Sequence, residues 1–263
     1  MRYILFIATA FFTLLSCEKT KLAQKDEVDP AGKALVKVGY FTPYSAATNV
    51  GVQLAVDGIR VSNTFTYAIT YPGGGFNMGG QSNPDYLAIA TGSRIFKVSI
   101  PKAGTNTDSI VLFTGPVTLA ADSRQTVMLT DTGANTMATL VPDVVTAPVG
   151  DRTARAKFFN GIPNVGAIDL YIVPPTGVAF VAATNIDYKG VSPYFEFAAG
   201  QGSVTFQIVK TGLPNTVANI IASYAFGSSG FGRNYTILSR GYILTPVSTT
   251  DIRRPFVSVI VNL

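Results

Sequence analysis

Beyond Gly32, almost every apolar segment of the chain is short, rich in β-branched or aromatic residues, and bounded by Gly, Pro, Asn or Asp. Such segments are typical of β-strands, because branched and aromatic side chains pack well on a pleated surface. Several segments alternate, as in Phe96–Ile100, and alternation predicts one face in a core and one face in water. No window carries apolar residues at helical spacing. We therefore predict an all-β protein.

The order of these segments repeats once along the chain. Ala34–Val38 is echoed by Ala154–Phe158, and Val52–Asp57 is echoed by Ile168–Ile172. Three later matches keep the same order: Tyr86–Gly92 with Tyr194–Gly200, Ser93–Val98 with Ser203–Ile208, and Arg124–Thr130 with Arg233–Ser239. Each copy holds about seven short strands, which is the strand count of an immunoglobulin-like β-sandwich. We predict two tandem immunoglobulin-like β-sandwich domains.

The limits of the two domains follow from where the strand pattern stops and starts again. Pro148 and Gly150 interrupt it between the copies, and these residue types are typical of connecting segments. We place the first β-sandwich domain at residues 34–147 and the second at residues 152–263.

Individual segments also resemble a known family. The second copy contains Ala154–Pro163, then Ala167–Ile172, and later Tyr235–Gly241; Tyr40–Pro43 and Val52–Gly58 are looser counterparts in the first copy. They resemble the opening Ala-x-Val-Arg-Phe-x-Asn strand, the Val-Asp-Val-Tyr-like strand and the late Tyr-Thr strand of the bacterial β-sandwich domains catalogued as domain of unknown function 4397. The resemblance implies a β-sandwich and supplies no established catalytic residues.

The first sixteen residues have the organisation of an export signal. Arg2 gives a positive charge, and an apolar run follows from Tyr3 to Leu15. A helix that spans a bilayer needs about 20 apolar residues, whereas the apolar region of a secretory signal needs about 7–15. We expect residues 1–16 to be a signal peptide that takes no part in the fold.

The signal ends in a sequence that directs lipid attachment in bacteria. Leu14–Cys17 resembles the bacterial lipobox, and the resemblance implies cleavage before Cys17 and acylation of that residue, palmitate included. Cys17 is the only cysteine in the 263 residues, so it cannot form an internal disulfide. The alternative is an ordinary signal peptide with a chance cysteine at its end. Acyl chains would give stable anchoring, since each buried CH₂ contributes about 0.8 kcal/mol.

Residues 17–33 are polar and charged, with too little apolar side chain to fold alone. We predict a flexible, lipidated tether. The protein is therefore expected to be exported and anchored in the outer membrane. Both the cell surface and the periplasmic face are open as locations, and the weak acidic signal at Glu18 favours the cell surface.

Composition removes several classes of function. The chain has no His and no Trp, so a Ser-His-Asp or Cys-His nucleophile and a His metal site are excluded. No Asp-x-Asp calcium loop is present, and the carboxylates are scattered. The net charge of +5 is not gathered into a basic run, which argues against nucleic acid as a partner. We expect no enzyme activity, no metal and no cofactor.

The segment from Tyr71 to Gly80 contains five glycines and is the leading candidate for a contact loop. Tyr71, Phe76, Asn77 and Met78 are its candidate ligand or partner residues. Phosphate is disfavoured, because no Lys-Ser/Thr follows the glycines. The alternative is an excursion between strands, with the aromatic side chains folded back on the sandwich.

Three other short sequences are candidate sites or turns. Asp108-Ser109-Ile110 resembles an O-glycosylation acceptor at Ser109, and a turn before a strand is its alternative. Gly227–Gly232 lacks the spacing of a nucleophile elbow and is interpreted as a hairpin turn. Arg253 and Arg254 are interpreted as part of a solvated turn.

A lipobox followed by such domains is similar to the surface or periplasmic lipoproteins of Bacteroidetes-type bacteria. We expect a membrane-anchored envelope protein that is a non-catalytic binding or adhesion module, with a polysaccharide or an envelope or surface protein as partner. The alternative is a structural spacer or assembly partner of an envelope complex. Aromatic side chains exposed at one end would favour binding, and their burial would favour the spacer.

Overall fold

The computed structural model describes residues 31–43, 50–78, 83–148, 150–227, 229–244, 246 and 248–262. Within these ranges the chain forms β-strands and one short 3-10 turn at Gly133–Asn135. The all-β prediction is confirmed. The predicted signal peptide, Cys17 and almost all of the predicted tether lie outside the described residues, although Lys33 already belongs to the first strand.

The first half of the described chain forms nine strands. They are β1 (Lys33–Tyr40), β2 (Gln53–Val56), β3 (Ile59–Arg60), β4 (Ile69–Tyr71), β5 (Leu87–Ala90), β6 (Gly92–Pro101), β7 (Asp108–Leu119), β8 (Ser123–Thr130) and β9 (Met137–Pro142). One sheet has the order β4-β1-β8-β9, with β5 also paired to β1, and the other has the order β3-β2-β6-β7. Strands β1 and β8 run parallel, with Lys37 opposite Thr126.

The second half repeats this plan with eight strands. They are β10 (Thr153–Asn160), β11 (Ile168–Val173), β12 (Phe180–Ile186), β13 (Phe195–Ala198), β14 (Val204–Lys210), β15 (Ile220–Phe226), β16 (Asn234–Arg240) and β17 (Phe256–Val261). Its sheets have the orders β13-β10-β16-β17 and β12-β11-β14-β15. Strands β10 and β16 are parallel, with Lys157 opposite Thr236. The division at residues 34–147 and 152–263 stays a prediction that these strand positions fit.

Each half buries an apolar core between its two sheets. In the first half, Val36 of β1 and Leu54 of β2 share one buried cluster. In the second half, Phe158 of β10 and Phe206 of β14 share another. Residues that alternate along each strand point into these cores, as the sequence pattern predicts.

The outward faces of two sheets, however, are not in water. Lys37 on β1 and Lys157 on β10 stand at polar positions of alternating strands, yet they are 0 % and 2 % exposed. The expectation that the polar face of such strands is solvated is therefore wrong for β1 and β10. The reason is that the β1 sheet and the β10 sheet pack against each other, which buries both faces of each.

A third apolar cluster lies between these two sheets. It contains Phe41, Met128, Val141, Phe159, Leu238 and Ile260, all buried, with Phe76 packed against it. Three of the buried side chains come from each half. Burial of a side chain of this size contributes about 1.5–3 kcal/mol, so the cluster joins the halves strongly.

We predict that Phe159→Ala weakens this junction. Phe159 is 0 % exposed, and removal of a buried aromatic ring costs about 3–5 kcal/mol. Urea unfolding, followed by circular dichroism, is expected to shift to lower denaturant and to split into two transitions. Val217→Ala is the control, because Val217 is 92 % exposed. An unchanged midpoint for Phe159→Ala would contradict the role of this cluster.

Candidate functional site

The glycine-rich segment does not present its four candidate residues on one surface. Tyr71 ends β4, its ring stacks on Phe65 with centroids 5.1 Å apart, and its hydroxyl donates to the Val61 carbonyl at 2.9 Å. The ring therefore faces the core of its own half. Met78 is 55 % exposed and is the member of the four that is mainly in solvent.

Phe76 and Asn77 instead contact the second half. Phe76 pairs with Ile260 in an antiparallel bridge and stacks on Phe41 with centroids 5.7 Å apart. The Asn77 amide donates to the Val259 carbonyl at 2.7 Å, and the Val261 amide donates to the Gly75 carbonyl at 2.8 Å. This stretch, Gly75–Asn77, adds a short strand to the edge of β17. We call it the latch.

The latch explains one glycine of the segment. A Cβ on Gly75 would lie 2.9 Å from the Val261 Cβ, and Gly75 has a φ of +71°, so a larger residue would be both crowded and strained. The segment is thus built for close backbone approach to β17. The contact that the sequence predicted for an external partner is made, for Phe76 and Asn77, within the chain.

A cluster of charged groups lies beside the latch, between the two sheets. Lys37 Nζ donates to the Val261 carbonyl at 2.9 Å and to Asn262 Oδ1 at 2.8 Å. It also lies 3.9 Å from Asp143 Oδ2. The side chains of Lys37 and Asp143 are fully buried.

Lys157 makes the corresponding contacts in the opposite direction. Its Nζ donates to the Pro142 carbonyl and pairs with Asp143 Oδ1 at 3.2 Å. Asp143 follows β9 directly, as Asn262 follows β17. Each lysine therefore reaches across to the residues that end the last strand of the other half. This reciprocity is the signature of an interface with approximate two-fold symmetry.

Two tyrosine contacts repeat the same reciprocity farther along the strands. Arg240 donates to the Tyr67 hydroxyl at 3.1 Å, and Thr130 and the Tyr188 hydroxyl are 2.9 Å apart. Arg240 and Thr130 end the equivalent strands β16 and β8. Because the lysine contacts lie closer to the starts of β1 and β10 than the tyrosine contacts do, the two halves stand side by side with their strands in the same direction.

The two halves of the interface differ in one functional group, which is the carboxylate of Asp143 in one and the carboxamide of Asn262 in the other. Asp143 accepts from Thr126 Oγ1 at 2.6 Å, whereas Asn262 donates to Thr236 Oγ1 at 2.8 Å. The described interface thus places two lysines against one carboxylate. Burial of a cation without its own carboxylate is costly, and this cost falls on Lys37, whose nearer partner is the neutral Asn262.

Tyrosine rings and burial set the electrostatics of the cluster. Lys37 Nζ lies 4.6 Å from the centre of the Tyr86 ring, and Lys157 Nζ lies 5.4 Å from the centre of Tyr194. Burial lowers the pKa of Lys37 to about 8, against the opposing attraction of Asp143. Burial also lowers the pKa of Lys157, and it raises the pKa of both tyrosines.

We predict opposite effects for two single-atom exchanges. Asp143→Asn leaves two buried ammonium groups without a carboxylate and should cost about 3–5 kcal/mol of stability. Asn262→Asp supplies the second carboxylate, 2.8 Å from Lys37 in the native contact, and should stabilise the fold at neutral pH. Urea unfolding of both variants checks this. Equal midpoints would contradict the charge argument, since both changes conserve shape.

We also predict that stability rises with pH between about 8 and 10. The pKa of Lys37 is lowered to about 8 in the fold against about 10.4 in the unfolded chain, so the unfolded state binds more protons in this window. Lys37→Met should flatten the rise, while Lys102→Met, at an exposed position, should retain it. Urea midpoints at pH 7.5, 8.5 and 9.5 are the measurement. An equally steep rise in Lys37→Met would rule out this residue as the cause.

The remaining predicted positions are separate from the interface. Ser109 is exposed on β7, an edge strand of its sheet. The neighbouring Asp108 is held by Lys97 and Ser99, and these hydrogen bonds lower its pKa to about 2. The hydroxyl of Ser109 is therefore accessible, and its glycosylation stays a prediction.

The described ranges contain neither a metal-binding cluster nor a membrane-spanning helix. Within them, no three His, Cys, Asp or Glu side chains are grouped closely enough to hold a metal ion. Among the same residues, no helix has the length and apolar character needed to cross a bilayer.

Sequence reasoning missed Lys37, Lys157 and Asp143. A signal was present, because a lysine occupies the same place in the opening strand of both copies, with apolar residues on each side. Alternation alone assigns such a residue to solvent. Only the packing of a second sheet on that face reverses the assignment.

The fold and interface together define an all-β protein built from paired sheets. Comparison with protein families matches residues 34–171 to the family described as Domain of unknown function (DUF4397), and the chain belongs to this family. The match covers the first half and continues through β10 into Tyr171 on β11. The resemblance inferred from the sequence motifs is confirmed.

No curated protein matches the chain. Among solved structures, the chain is similar to the Bacillus anthracis TIE protein, with 11 % identity, a TM-score of 0.24, and coverage of 80 % of this chain and 34 % of that one. A leucine-rich repeat protein from Bacteroides thetaiotaomicron gives 13 % identity, a TM-score of 0.22, and coverage of 78 % and 26 %. The chain thus spans about a third or less of the length of these proteins.

Proposed function

We propose that this protein is a lipid-anchored envelope module that binds a partner without catalysis, and that its binding surface is the end of the molecule farthest from the tether. The observation that carries the proposal is the side-by-side arrangement of the two halves. Strand β1 begins at Lys33, where the predicted tether would join. We call this the near end, and the opposite end, where β1 stops at Tyr40, the far end.

The contacts of the interface assign the other connections to these ends. Val261 of β17 pairs with Tyr235 at the start of β16, which runs parallel to β10, so the end of β17 lies at the near end, where Asn262 contacts Lys37. Asp143, which begins the connection to the second half, lies there as well, because it joins the same cluster. The segment Gly161–Ala167 and the described residues between β16 and β17, 241–244, 246 and 248–255, follow β10 and β16 at the far end.

This arrangement favours a binding platform, which is a rigid body that presents the far-end segments to a partner, over an extended stalk. Two sandwiches joined end to end would lengthen a spacer, whereas face-to-face sheets add thickness and no reach. A tether at the near end would hold the far-end segments away from the membrane. A body whose two halves share a buried core also presents those segments with little ordering cost on binding.

A second candidate function is a structural partner in an envelope assembly. Within the described residues, Phe180 and Phe231 are the most exposed aromatic residues, at 44 % and 54 %. Phe231 lies close to Thr153 at the near end, through the Gly232 amide. Full or partial burial of the other described aromatic residues favours this candidate over stacking of a polysaccharide on an aromatic face.

We predict that Cys17→Ala releases the protein from membranes and removes palmitate labelling. The physical reason is that Cys17 is the sole thiol of the sequence and the acyl chains supply the anchoring energy. Membrane fractionation and labelled palmitate are the measurements, with Ser109→Ala as a control that leaves the anchor intact. A Cys17→Ala protein that fractionates like the native one would refute the anchor.

The binding proposal has its own experiment. The full chain with Cys17→Ala is used to capture glycans and envelope proteins, and it is compared with the same chain carrying Asn164→Ala at the far end or Lys33→Ala at the near end. Loss of capture with the far-end change alone supports the platform. The platform is contradicted if neither glycans nor envelope proteins are captured, or if the near-end change alone abolishes capture.

A further inference from the structure

A pocket of about 400 Å³ opens at the far end of the second half. One wall is the start of β15, with Ile220 and Ile221, and the other is formed by Ile243, Leu244 and Pro255, which lie between β16 and β17. The volume lies within the range of about 300–1,000 Å³ that is usual for small-molecule sites. Most of its lining side chains are aliphatic, so an apolar ligand body would be favoured.

Arg254 is the charged residue of this lining. Its guanidinium carbon lies 4.2 Å from the centre of the Phe256 ring, so one face of the group rests on an aromatic side chain. No ion pair joins Arg254 to a carboxylate within the described residues. The nearest acidic residue in sequence, Asp251, is already bound to Arg253 through both of its oxygens, at 3.1 and 2.7 Å.

The wall that carries Arg254 is held in place by the chain. Asn164 donates to the Ile243 carbonyl and accepts from the Ile243 amide, each at 2.9 Å. The Tyr242 amide donates to the Arg253 carbonyl at 2.6 Å. Gly241 has a φ of +99°, and a Cβ there would collide with the Arg254 carbonyl oxygen. The segment is thus tied both to the neighbouring loop and to itself.

We propose that this pocket binds a small carboxylate with an aliphatic body. The planar guanidinium of Arg254 offers paired N–H donors that match the two oxygens of a carboxylate. The isoleucine and leucine side chains provide the apolar surface that the remainder of the ligand covers. This inference rests on the proposed function, since it names the ligand class of a site at the far end.

The test uses octanoate as the probe and octan-1-ol as its neutral counterpart. Titration calorimetry is done on the full chain with Cys17→Ala. We expect octanoate to bind with a stoichiometry of one, and octan-1-ol to bind about tenfold or more weakly, because charge-assisted hydrogen bonds are the stronger kind.

Three variants assign the binding to the pocket. Arg254→Gln should weaken octanoate binding by about tenfold or more and leave octan-1-ol unchanged, whereas Arg254→Lys should keep part of the preference for the acid. Lys210→Gln is the matched control, because Lys210 is an exposed cation at the end of β14 that does not line the pocket. It should bind octanoate as the native chain does.

The possible results separate this inference from the proposed function. No octanoate binding by the native pocket, or equal binding by Arg254→Gln, overturns the ligand class. If octanoate fails while the far-end variant still loses its captured partner, the binding platform stands and this inference alone falls. If octanoate binds as expected while no glycan or envelope protein is captured, the ligand class of the pocket is supported and the proposed envelope partner is contradicted.

Discussion

The structure depends on the burial of two sheet faces against each other. A sheet with one solvated face can carry lysine there at little cost, but β1 and β10 carry theirs into an interface where both are buried. Burial of the ammonium groups is possible because each one has carbonyl and side-chain acceptors in the opposite half of the molecule. These acceptors exist only when the two halves are in register. The same contacts that make burial possible therefore fix how the halves sit.

Apolar packing and polar pairing contribute differently to the junction of the two halves. The cluster around Phe41 and Phe159 supplies non-directional energy from burial. The lysines with Asp143 and Asn262 fix the relative position of the halves, because a misplaced ammonium would lose its acceptors and keep its desolvation cost. Such a division explains why an interface whose described residues place two lysines against one carboxylate can still be well defined. It also places the charge imbalance inside the molecule, where a small change in ionisation affects the junction of the halves.

Much of the fold could be predicted from the sequence, for physical reasons that particular segments show. Short β-branched segments bounded by turn residues identify strands, and the echo of Ala34–Val38 in Ala154–Phe158 identifies a repeated plan. The interface could not be predicted, because the sequence pattern around Lys37 is the same whether its face of the sheet meets water or a second sheet. The role of Phe76 was hidden for a related reason: a glycine-rich segment has no periodicity from which a partner strand can be inferred. The pocket beside Arg254 joins segments distant in sequence, β15 and the Gly241–Pro255 loop, and no local pattern connects them.

The latch has a further consequence through the residue that its partner strand carries. Val261 offers an amide to Gly75, but the corresponding end of β9 is Pro142, which has no amide hydrogen to offer. A strand laid along β9 would therefore lack one of the two backbone bonds that hold the latch to β17. The two halves share a framework and yet differ in what they accept along an edge. A latch from a neighbouring molecule would meet the same restriction at β9, and at the edge of β17 it would find the chain's own segment already in place.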